Sequence, residues 1–244
     1  MIRFLLVATF VILFLVLSIP LLFIEWIIGK FNMDLKSKSS LAIVNWAFRV
    51  CLFLAGTSVT VIGEENVPKD VPVLYIGNHR SYFDILITYI RVPRPTGYIA
   101  KKEMLRYPLL SNWMKNLHCL FLDRKDIKQG LKTILTAIEK VKSGISICIF
   151  PEGTRNRVND TFMEFHEGSF KIVEKTGCPI IPMSINNSAQ IFEDHIPKIK
   201  KAHVVLEYGK PIYPAELSKE ERKHLGVYTQ NIIKETYFKN KELV

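Results

Sequence analysis

A histidine and an aspartate five residues apart are the first residues whose types and spacing suggest chemistry. His79 and Asp84 lie in the polar segment 78–84, Asn-His-Arg-Ser-Tyr-Phe-Asp, which follows an apolar run at 71–76. An imidazole can accept a proton near neutral pH, and a carboxylate commonly fixes the orientation of the ring. The pair predicts a general base that acts on the alcohol of a bound substrate. The competing interpretation is that Asn78 and Asp84 are ordinary turn and helix-capping residues.

Two arginines follow further predicted strands. Arg124 follows Asp123 at the end of the apolar run 119–122, and Arg155 closes a Pro-Glu-Gly-Thr-Arg segment after the run 145–150. Adjacent parallel strands deliver the residues at their carboxyl ends to the same edge of a sheet. The order of these elements therefore predicts that both arginines share a pocket with His79. The guanidinium fork matches the oxygens of a phosphate group, so this pocket is predicted to bind phosphate.

The segment before the second arginine has its own predicted roles. Gly153 allows a ligand to approach the backbone closely, and Thr154 adds a hydroxyl donor. The alternative is that Arg124 forms a surface ion pair with Asp123 or Asp126, and that Glu-Gly-Thr is an ordinary turn. Each motif taken alone leaves this alternative open.

The elements that must position these residues alternate between strand and helix. Such alternation predicts an α/β fold with a mixed sheet that has a parallel core and is flanked by helices. Periodicity and turn residues predict the individual elements. The strands are expected around Val59 and Val61 and near 72–77, 97–100, 119–122, 145–150, 179–186 and 203–208, and the helices near 83–91, 105–117, 127–142, 168–176 and 218–239.

The first 56 residues predict a membrane-anchoring helical segment before a catalytic domain at 57–244. Residues 4–24 carry no charge and are long enough to span about 30 Å of hydrocarbon, or to lie monotopically in one leaflet. A linker at 25–40 with three lysines follows, and then an interfacial helix at 41–56. The positive-inside rule puts this linker, and with it the catalytic domain, on the cytoplasmic side of the cell membrane.

The composition restricts the partners. The chain has 33 Lys and Arg against 23 Asp and Glu, a net charge of +10, which indicates an anionic partner. Because of the apolar N-terminus, anionic membrane lipids are expected and nucleic acid is not. The four cysteines lack paired spacing and are expected to be buried thiols. The other five histidines are interpreted as surface or packing residues, and no metal-binding or nucleotide-phosphate motif occurs.

The order of the motifs resembles a known family. N-H-x4-D is followed by Phe-Leu-Asp-Arg ending at Arg124, by Phe-Pro-Glu-Gly-Thr-Arg ending at Arg155, and by Ile181-Pro182 after a strand. This combination is highly specific, and over about residues 58–211 the chain resembles the glycerolipid acyltransferases of the lysophosphatidate acyltransferase (PlsC) family.

The resemblance implies that His79 is the general base and Asp84 its partner. It implies a substrate-binding set for the phosphate of the acceptor, and the chain also resembles the family in the segment between motifs that begins at Lys101. The implied substrate-binding residues are Lys101, Arg124, Glu152, Gly153, Thr154 and Arg155. Two positions depart from the family pattern: Arg80 stands where many members have Gln, and Asn156 where many have Ser.

The resemblance also implies an activity. Members transfer a fatty acyl group from acyl-CoA or acyl carrier protein to the sn-2 hydroxyl of 1-acylglycerol 3-phosphate (lysophosphatidic acid), which gives phosphatidic acid in phospholipid biosynthesis, without a metal or other cofactor. The alternatives are an acyltransferase for another lysolipid, such as a lysophospholipid or lyso-ornithine lipid, and a non-catalytic basic protein that binds the membrane surface.

Overall fold

Seven β-strands and nine α-helices make up the fold, which the computed structural model describes from residue 1 to residue 244. The strands are β1 (Ser58–Ile62), β2 (Leu74–Gly77), β3 (Thr96–Lys101), β4 (Leu120–Leu122), β5 (Ser146–Ile149), β6 (Ile180–Asn186) and β7 (His203–Tyr208). The helices are α1 (Ile2–Leu17), α2 (Ile19–Phe31), α3 (Met33–Ala55), α4 (Phe83–Tyr89), α5 (Pro108–Asn116), α6 (Ile127–Lys142), α7 (Lys171–Thr176), α8 (Lys219–Lys223) and α9 (Leu225–Lys239).

All seven strands form one sheet in the order β1-β7-β6-β2-β5-β3-β4. Every neighbouring pair is parallel except β6 and β7, which are antiparallel. The predicted mixed sheet with a parallel core is therefore confirmed. The predicted bounds of α6 and β7 agree with the observed ones, whereas the single helix expected at 218–239 is divided at His224 into α8 and α9.

The sheet separates two apolar cores. Alternate residues of β2 point to opposite faces, so that Tyr75 belongs to one core and Leu74 and Ile76 to the other. The first core is covered by α3, α4 and α5, and side chains of α1 and α2 pack against it. The second core is covered by α6, α7 and α9. The N-terminal helices and α6 thus lie on opposite faces of the sheet.

The apolar segment predicted as one helix at 4–24 is two helices. α1 and α2 meet at Ser18 with a bend of 48°. Pro20 in the first turn of α2 has no N–H to donate to the preceding turn, which favours a break at this point. The Ser18 hydroxyl accepts a hydrogen bond from Trp113 Nε1 of α5 (2.9 Å) and is buried. The break is therefore held by a contact with the body of the domain.

The expected linker at 25–40 is helical, so that prediction is wrong. α2 continues to Phe31, and α3 begins one residue after Asn32, whose side-chain oxygen accepts a hydrogen bond from the Leu35 N–H (2.9 Å). Asn32 is therefore the N-cap of α3, a role that was not predicted from the sequence. α3 ends before Gly56, which has a φ of 71° and forms a left-handed cap.

The two polar residues of α3 differ in their surroundings, since Asn45 is buried and Arg49 is exposed, and the interfacial position of this helix stays a prediction. The Arg49 guanidinium points to the Ile90 carbonyl at the end of α4. α3 is nevertheless long and apolar enough to cross a membrane, and the bent pair of α1 and α2 is a second candidate if it counts as one span. Burial of α3 in the first core makes this weak evidence for a span. The division at residues 56 and 57 stays a prediction.

Candidate active site

The predicted base and its partner are in direct contact. His79 lies in the loop between β2 and α4, and its Nδ1 is 2.8 Å from Oδ2 of Asp84 in the first turn of α4. The same Asp84 oxygen accepts hydrogen bonds from the backbone N–H groups of Arg80 (2.7 Å) and Ser81 (2.8 Å). The loop therefore curls around the carboxylate, as the spacing of five residues requires. The contact uses Nδ1, so the Nε2 of His79 is the ring nitrogen left for a substrate.

The backbone of His79 is clamped by the loop that follows β5. The carboxylate of Glu152 accepts a hydrogen bond from the His79 N–H (2.9 Å), and the N–H of Asn156 donates to the His79 carbonyl (2.8 Å). The ring of Phe150 stacks on the imidazole with 4.4 Å between centroids. These contacts hold the backbone of His79 through its N–H and its carbonyl, and they cover one face of its imidazole.

Glu152 was predicted to bind substrate, but its carboxylate is used within the chain. One oxygen accepts from the His79 N–H and the other from the Met163 N–H (3.1 Å), and the side chain is buried. Burial raises the pKa of Glu152, and the two backbone donors oppose that shift. The position of Glu152 suits a residue that joins two loops rather than one that contacts a ligand.

Asn78 attaches the segment 78–84, which we call the catalytic loop, to the sheet. Its side-chain amide donates to the Ile185 carbonyl and accepts from the Ile185 N–H, both at 2.9 Å. This bidentate contact replaces the backbone partner that β6 would otherwise need at this point. The turn-residue interpretation of Asn78 is therefore too narrow, since the side chain bridges residues that are far apart in sequence.

Arg155 is held by a residue that the sequence did not reveal. Its Nη1 donates to Glu193 Oε1 (2.8 Å), and the guanidinium stacks on the ring of Tyr82 at 3.6 Å from the centroid. The Glu193 carboxylate also accepts from the Ser81 hydroxyl (2.6 Å) and the Tyr82 N–H (2.8 Å). Glu193 therefore ties Arg155 to the catalytic loop. The neighbouring Phe192 stacks on Phe4 of α1, with 5.8 Å between centroids.

Arg124 lies in a different environment. It lines a groove of about 500 Å³ between the carboxyl ends of β3, β4 and β5 and the first turns of α6. Arg155 is not among the residues that line this groove, whereas Phe150 and Gly153 are. The structure therefore gives the two arginines different neighbours, and their sharing of one phosphate-binding pocket stays a prediction. Arg124 belongs to the groove, and Arg155 to the network of Glu193 and Tyr82.

The remaining predicted site residues are Gly153, Thr154 and Lys101. Gly153 has a φ of 71°, and a Cβ built there would lie 3.1 Å from the ring of His166, so the close approach expected of this glycine is to a side chain of the protein itself. Thr154 follows in the same loop, half-buried, and Lys101 ends β3 with an exposed side chain. No three His, Cys, Asp or Glu side chains converge with the geometry of a metal site.

The other candidate groups have packing roles. All four cysteines are free and buried, as expected, and burial raises the pKa of Cys51 and of Cys119 to about 11. His118, one of the histidines interpreted as packing residues, contacts the Ser37 hydroxyl through Nε2 (2.7 Å) and Lys140 Nζ through Nδ1 (3.3 Å). Burial, with the charges of Lys140 and Lys36, lowers the pKa of His118 to about 4.

A histidine base with a carboxylate partner, a nearby arginine and an apolar groove are the parts that acyl transfer to an alcohol requires. Residues 58–186 match the family model described as Acyltransferase. The match covers more than half of the chain, so the chain belongs to the acyltransferase family, whose members are enzymes.

Two bacterial enzymes and one solved structure are similar to this chain over most of its length. The chain is 33% identical to the 1-acyl-sn-glycerol-3-phosphate acyltransferase of Borreliella burgdorferi over 76% of this chain and 74% of the relative. It is 32% identical to the enzyme of the same name from Helicobacter pylori, over 70% and 73%. The crystal structure of the 1-acyl-sn-glycerophosphate acyltransferase PlsC from Thermotoga maritima superposes with a TM-score of 0.80, over 97% of this chain and 94% of that one, at 24% identity. That likeness confirms the fold.

Proposed function

We propose that the protein transfers an acyl group from a thioester donor, acyl-CoA or acyl carrier protein, to the sn-2 hydroxyl of 1-acylglycerol 3-phosphate and so forms phosphatidic acid. The observation that carries this proposal is the hydrogen-bonded pair of His79 and Asp84, in which Asp84 holds Nδ1, Phe150 stacks on the ring, and Nε2 is left for the acceptor. The names of the relatives support the choice of acceptor.

In the proposed reaction His79 acts first as a base and then as an acid. His79 Nε2 takes the proton of the acceptor hydroxyl as that oxygen attacks the thioester carbonyl carbon. The tetrahedral intermediate then collapses, the bond from carbon to sulfur breaks, and the imidazolium returns its proton to the departing sulfur. Asp84 stabilises the transient positive charge on the imidazole through Nδ1. General base catalysis of this kind is worth about 10² to 10⁴-fold in rate.

The groove beside Phe150 is the proposed site for the acyl chain of the donor. Its volume of about 500 Å³ lies in the ordinary range for ligand pockets, and apolar side chains contribute to its wall. The acyl chain of the acceptor has the bilayer to occupy, whereas the chain of a water-borne donor must be sheltered by protein. The apolar residues that line the groove are Ile99, Ala100, Leu122, Ile127, Leu131, Ile134, Ile149 and Phe150.

Arg155 is the proposed partner of the acceptor phosphate. Its guanidinium is oriented by Glu193 and Tyr82, close to the catalytic loop, and the segment that contains Glu193 contacts α1 through Phe192 and Phe4. A lipid that approaches along α1 would meet this cluster first. A guanidinium that is already oriented loses less entropy on binding, which favours bidentate recognition of phosphate oxygens.

The membrane attachment is proposed to be monotopic, in one leaflet. α1 touches the body of the domain at both ends, through Phe4 on Phe192 and through Ser18 on Trp113. A helix that crossed the bilayer would carry one of its ends away from the domain. The outward sides of α1 and α2 expose large apolar residues suited to lipid, such as Ile12, Leu17, Phe23, Trp26 and Phe31. The catalytic domain is proposed to lie on the cytoplasmic side, where thioester donors are made, and the net charge of +10 suits anionic lipids.

One assay tests the proposed function. Purified full-length protein is incubated with a labelled acyl donor and a panel of acceptors: 1-acylglycerol 3-phosphate, zwitterionic lysophospholipids and a lyso-ornithine lipid. We expect labelled phosphatidic acid to be the main product, and His79→Ala to reduce its formation by about 10² to 10⁴-fold. Faster acylation of another lysolipid would replace the proposed acceptor, and no acylation of any acceptor would overturn the proposal.

A further inference from the structure

The outward surface of α6 combines positive charge with exposed apolar side chains. Ile127 is 90% exposed, and Leu131 and Leu135, each 53% exposed, follow at successive spacings of four residues. These three side chains form an exposed apolar stripe on one side of the helix. The stripe extends about 12 Å along the helix. The buried side of α6 is formed by other residues, including Ala137, Ile138 and Val141, so the exposed stripe has no role in the core.

Three lysines accompany this stripe, namely Lys125, Lys128 and Lys132, and all are exposed. Their side chains form no ion pair within the chain, because the nearby carboxylates are engaged elsewhere. Asp123 pairs with Lys102 (3.0 Å), and Asp126 caps the helix through the Gln129 N–H (3.0 Å). The surface therefore has a net positive charge that is available to a partner.

The stripe is continuous with the groove assigned to the acyl chain. Ile127 and Leu131 line the groove at one end of the stripe, and Phe150 at the far side of the groove stacks on His79. A partner that docks on α6 can thus pass an acyl chain into the groove and its thioester toward the imidazole. Because the inference concerns the acyl donor, it rests on the proposed function.

The position of α6 argues against a membrane as the partner. α6 covers the second core, whereas α1 and α2, with the exposed apolar residues assigned to lipid, pack on the first core across the sheet. A bilayer that contacts α1 and α2 lies on the face of the sheet away from α6. The partner of α6 is therefore expected to arrive from water.

We infer that the residues 124–135 form a docking surface for an acidic acyl carrier protein, and that this surface distinguishes carrier-bound donors from acyl-CoA. Carboxylates on the carrier would face Lys125, Lys128 and Lys132, and an apolar patch beside the serine that carries its thiol-bearing prosthetic arm would cover the stripe. A surface of this length that mixes lysines with aliphatic residues fits a protein. The compact polar phosphates and nucleotide of coenzyme A would engage the lysines and leave the stripe exposed.

The test compares two donors with the same acyl chain, hexadecanoyl carrier protein and hexadecanoyl-CoA, on the full-length enzyme with a fixed acceptor. Lys128→Glu with Lys132→Glu replaces attraction by repulsion at two positions, so we expect the KM for the carrier donor to rise about ten-fold or more at low ionic strength. The KM for hexadecanoyl-CoA should change less than about three-fold. Leu135→Ser, which leaves the charge unchanged and lies outside the groove, should raise only the KM for the carrier donor.

The control is Lys219→Glu with Lys223→Glu on α8, which makes the same change in charge at the same spacing on an exposed helix. It should leave both KM values unchanged. An equal effect of the α6 and α8 variants, an equal effect on both donors, or turnover of the parent with hexadecanoyl-CoA alone would overturn the inference. So would a loss of binding to anionic vesicles by the α6 variant, because the lysines would then face lipid. Absence of acyl transfer by the parent with either donor would instead refute the proposed function.

Discussion

Replacing Asp84 by Asn separates two tasks of the carboxylate, which are to hold the loop and to stabilise the charge on His79. Three donors point to the same oxygen of Asp84: His79 Nδ1 and the N–H groups of Arg80 and Ser81. The other oxygen, Oδ1, is buried and has no partner. The amide oxygen of Asn can take the position of Oδ2, so the loop and the imidazole tautomer are expected to persist in Asp84→Asn.

The expected loss in rate follows from the missing charge. Two unit charges about 4 Å apart attract by about 4 kcal/mol at an effective dielectric constant of about 20. A neutral hydrogen bond to the amide retains about 0.5–1.5 kcal/mol of that. The transition state should therefore lose about 2–4 kcal/mol, which corresponds to about 30- to 1000-fold in kcat/KM. Asp84→Ala should lose more, because the two backbone donors are then left without an acceptor.

The assay measures kcat/KM for acyl transfer by the parent, Asp84→Asn, His79→Ala and the double variant. Asp84 is a positioning residue that acts through His79, so Asp84→Asn should cause little further loss in the His79→Ala background. Near-ultraviolet circular dichroism of each variant checks that the fold is retained. If the two losses multiply in the double variant, Asp84 does not act through His79 and the assignment of the dyad is refuted.

Three further predictions follow from other contacts. Arg155→Ala should raise the KM for 1-acylglycerol 3-phosphate by about one to two decades and leave a zwitterionic acceptor nearly unaffected, because it removes charge-assisted hydrogen bonds of about 1.5–3 kcal/mol; equal losses with both acceptors would contradict it. Glu193→Gln should raise the same KM by about three- to thirty-fold with the donor KM unchanged, since Arg155 loses the carboxylate that orients it; an unchanged acceptor KM would count against that role. The pKa of His118 is 6.5 for the unfolded chain and about 4 for the folded one. The neutral His118 therefore stabilises the fold fully above pH 6.5, and this contribution is lost as the pH falls to about 4. In denaturant titrations, the free energy of unfolding of His118→Asn should fall by about 1–2 kcal/mol less than that of the parent over this pH range, a value reduced for partial solvent exposure. Identical pH profiles of the two proteins would contradict the lowered pKa of His118.

The catalytic domain was largely predictable because its signals are local. An amphipathic run predicted α6 at 127–142, and a short run rich in apolar residues predicted β7 at 203–208, both with the observed bounds. The contact of His79 with Asp84 was also predictable, since five residues that turn from a strand into a helix bring the two side chains together. Such features depend on spacing along the chain, which the sequence contains in full.

The arrangement of residues 1–56 depends on contacts with distant residues. An uninterrupted apolar run looks the same whether its helix crosses a membrane or lies along a domain. The break between α1 and α2 at Ser18 is stabilised by a hydrogen bond from Trp113, which is 95 residues away. Glu193 was missed for the same reason, because it lies in a single 3-10 turn more than one hundred residues from the loop that it contacts.

The long-range contacts also explain why the motif residues alone do not make the site. The catalytic loop is fastened by Asn78 to β6, by Glu152 to the loop after β5, and by Glu193 to the turn beside α1. Each of these contacts joins segments at least 73 residues apart. Glu152 and Glu193 each accept hydrogen bonds through both carboxylate oxygens, and Asn78 uses both its amide oxygen and its amide nitrogen. Loss of any one leaves a backbone N–H group without its acceptor, namely that of Ile185, His79 or Tyr82. A resulting shift of about 1 Å in a catalytic group can cost about 100-fold in rate. Residues that never touch the substrate should therefore affect turnover almost as strongly as those that do.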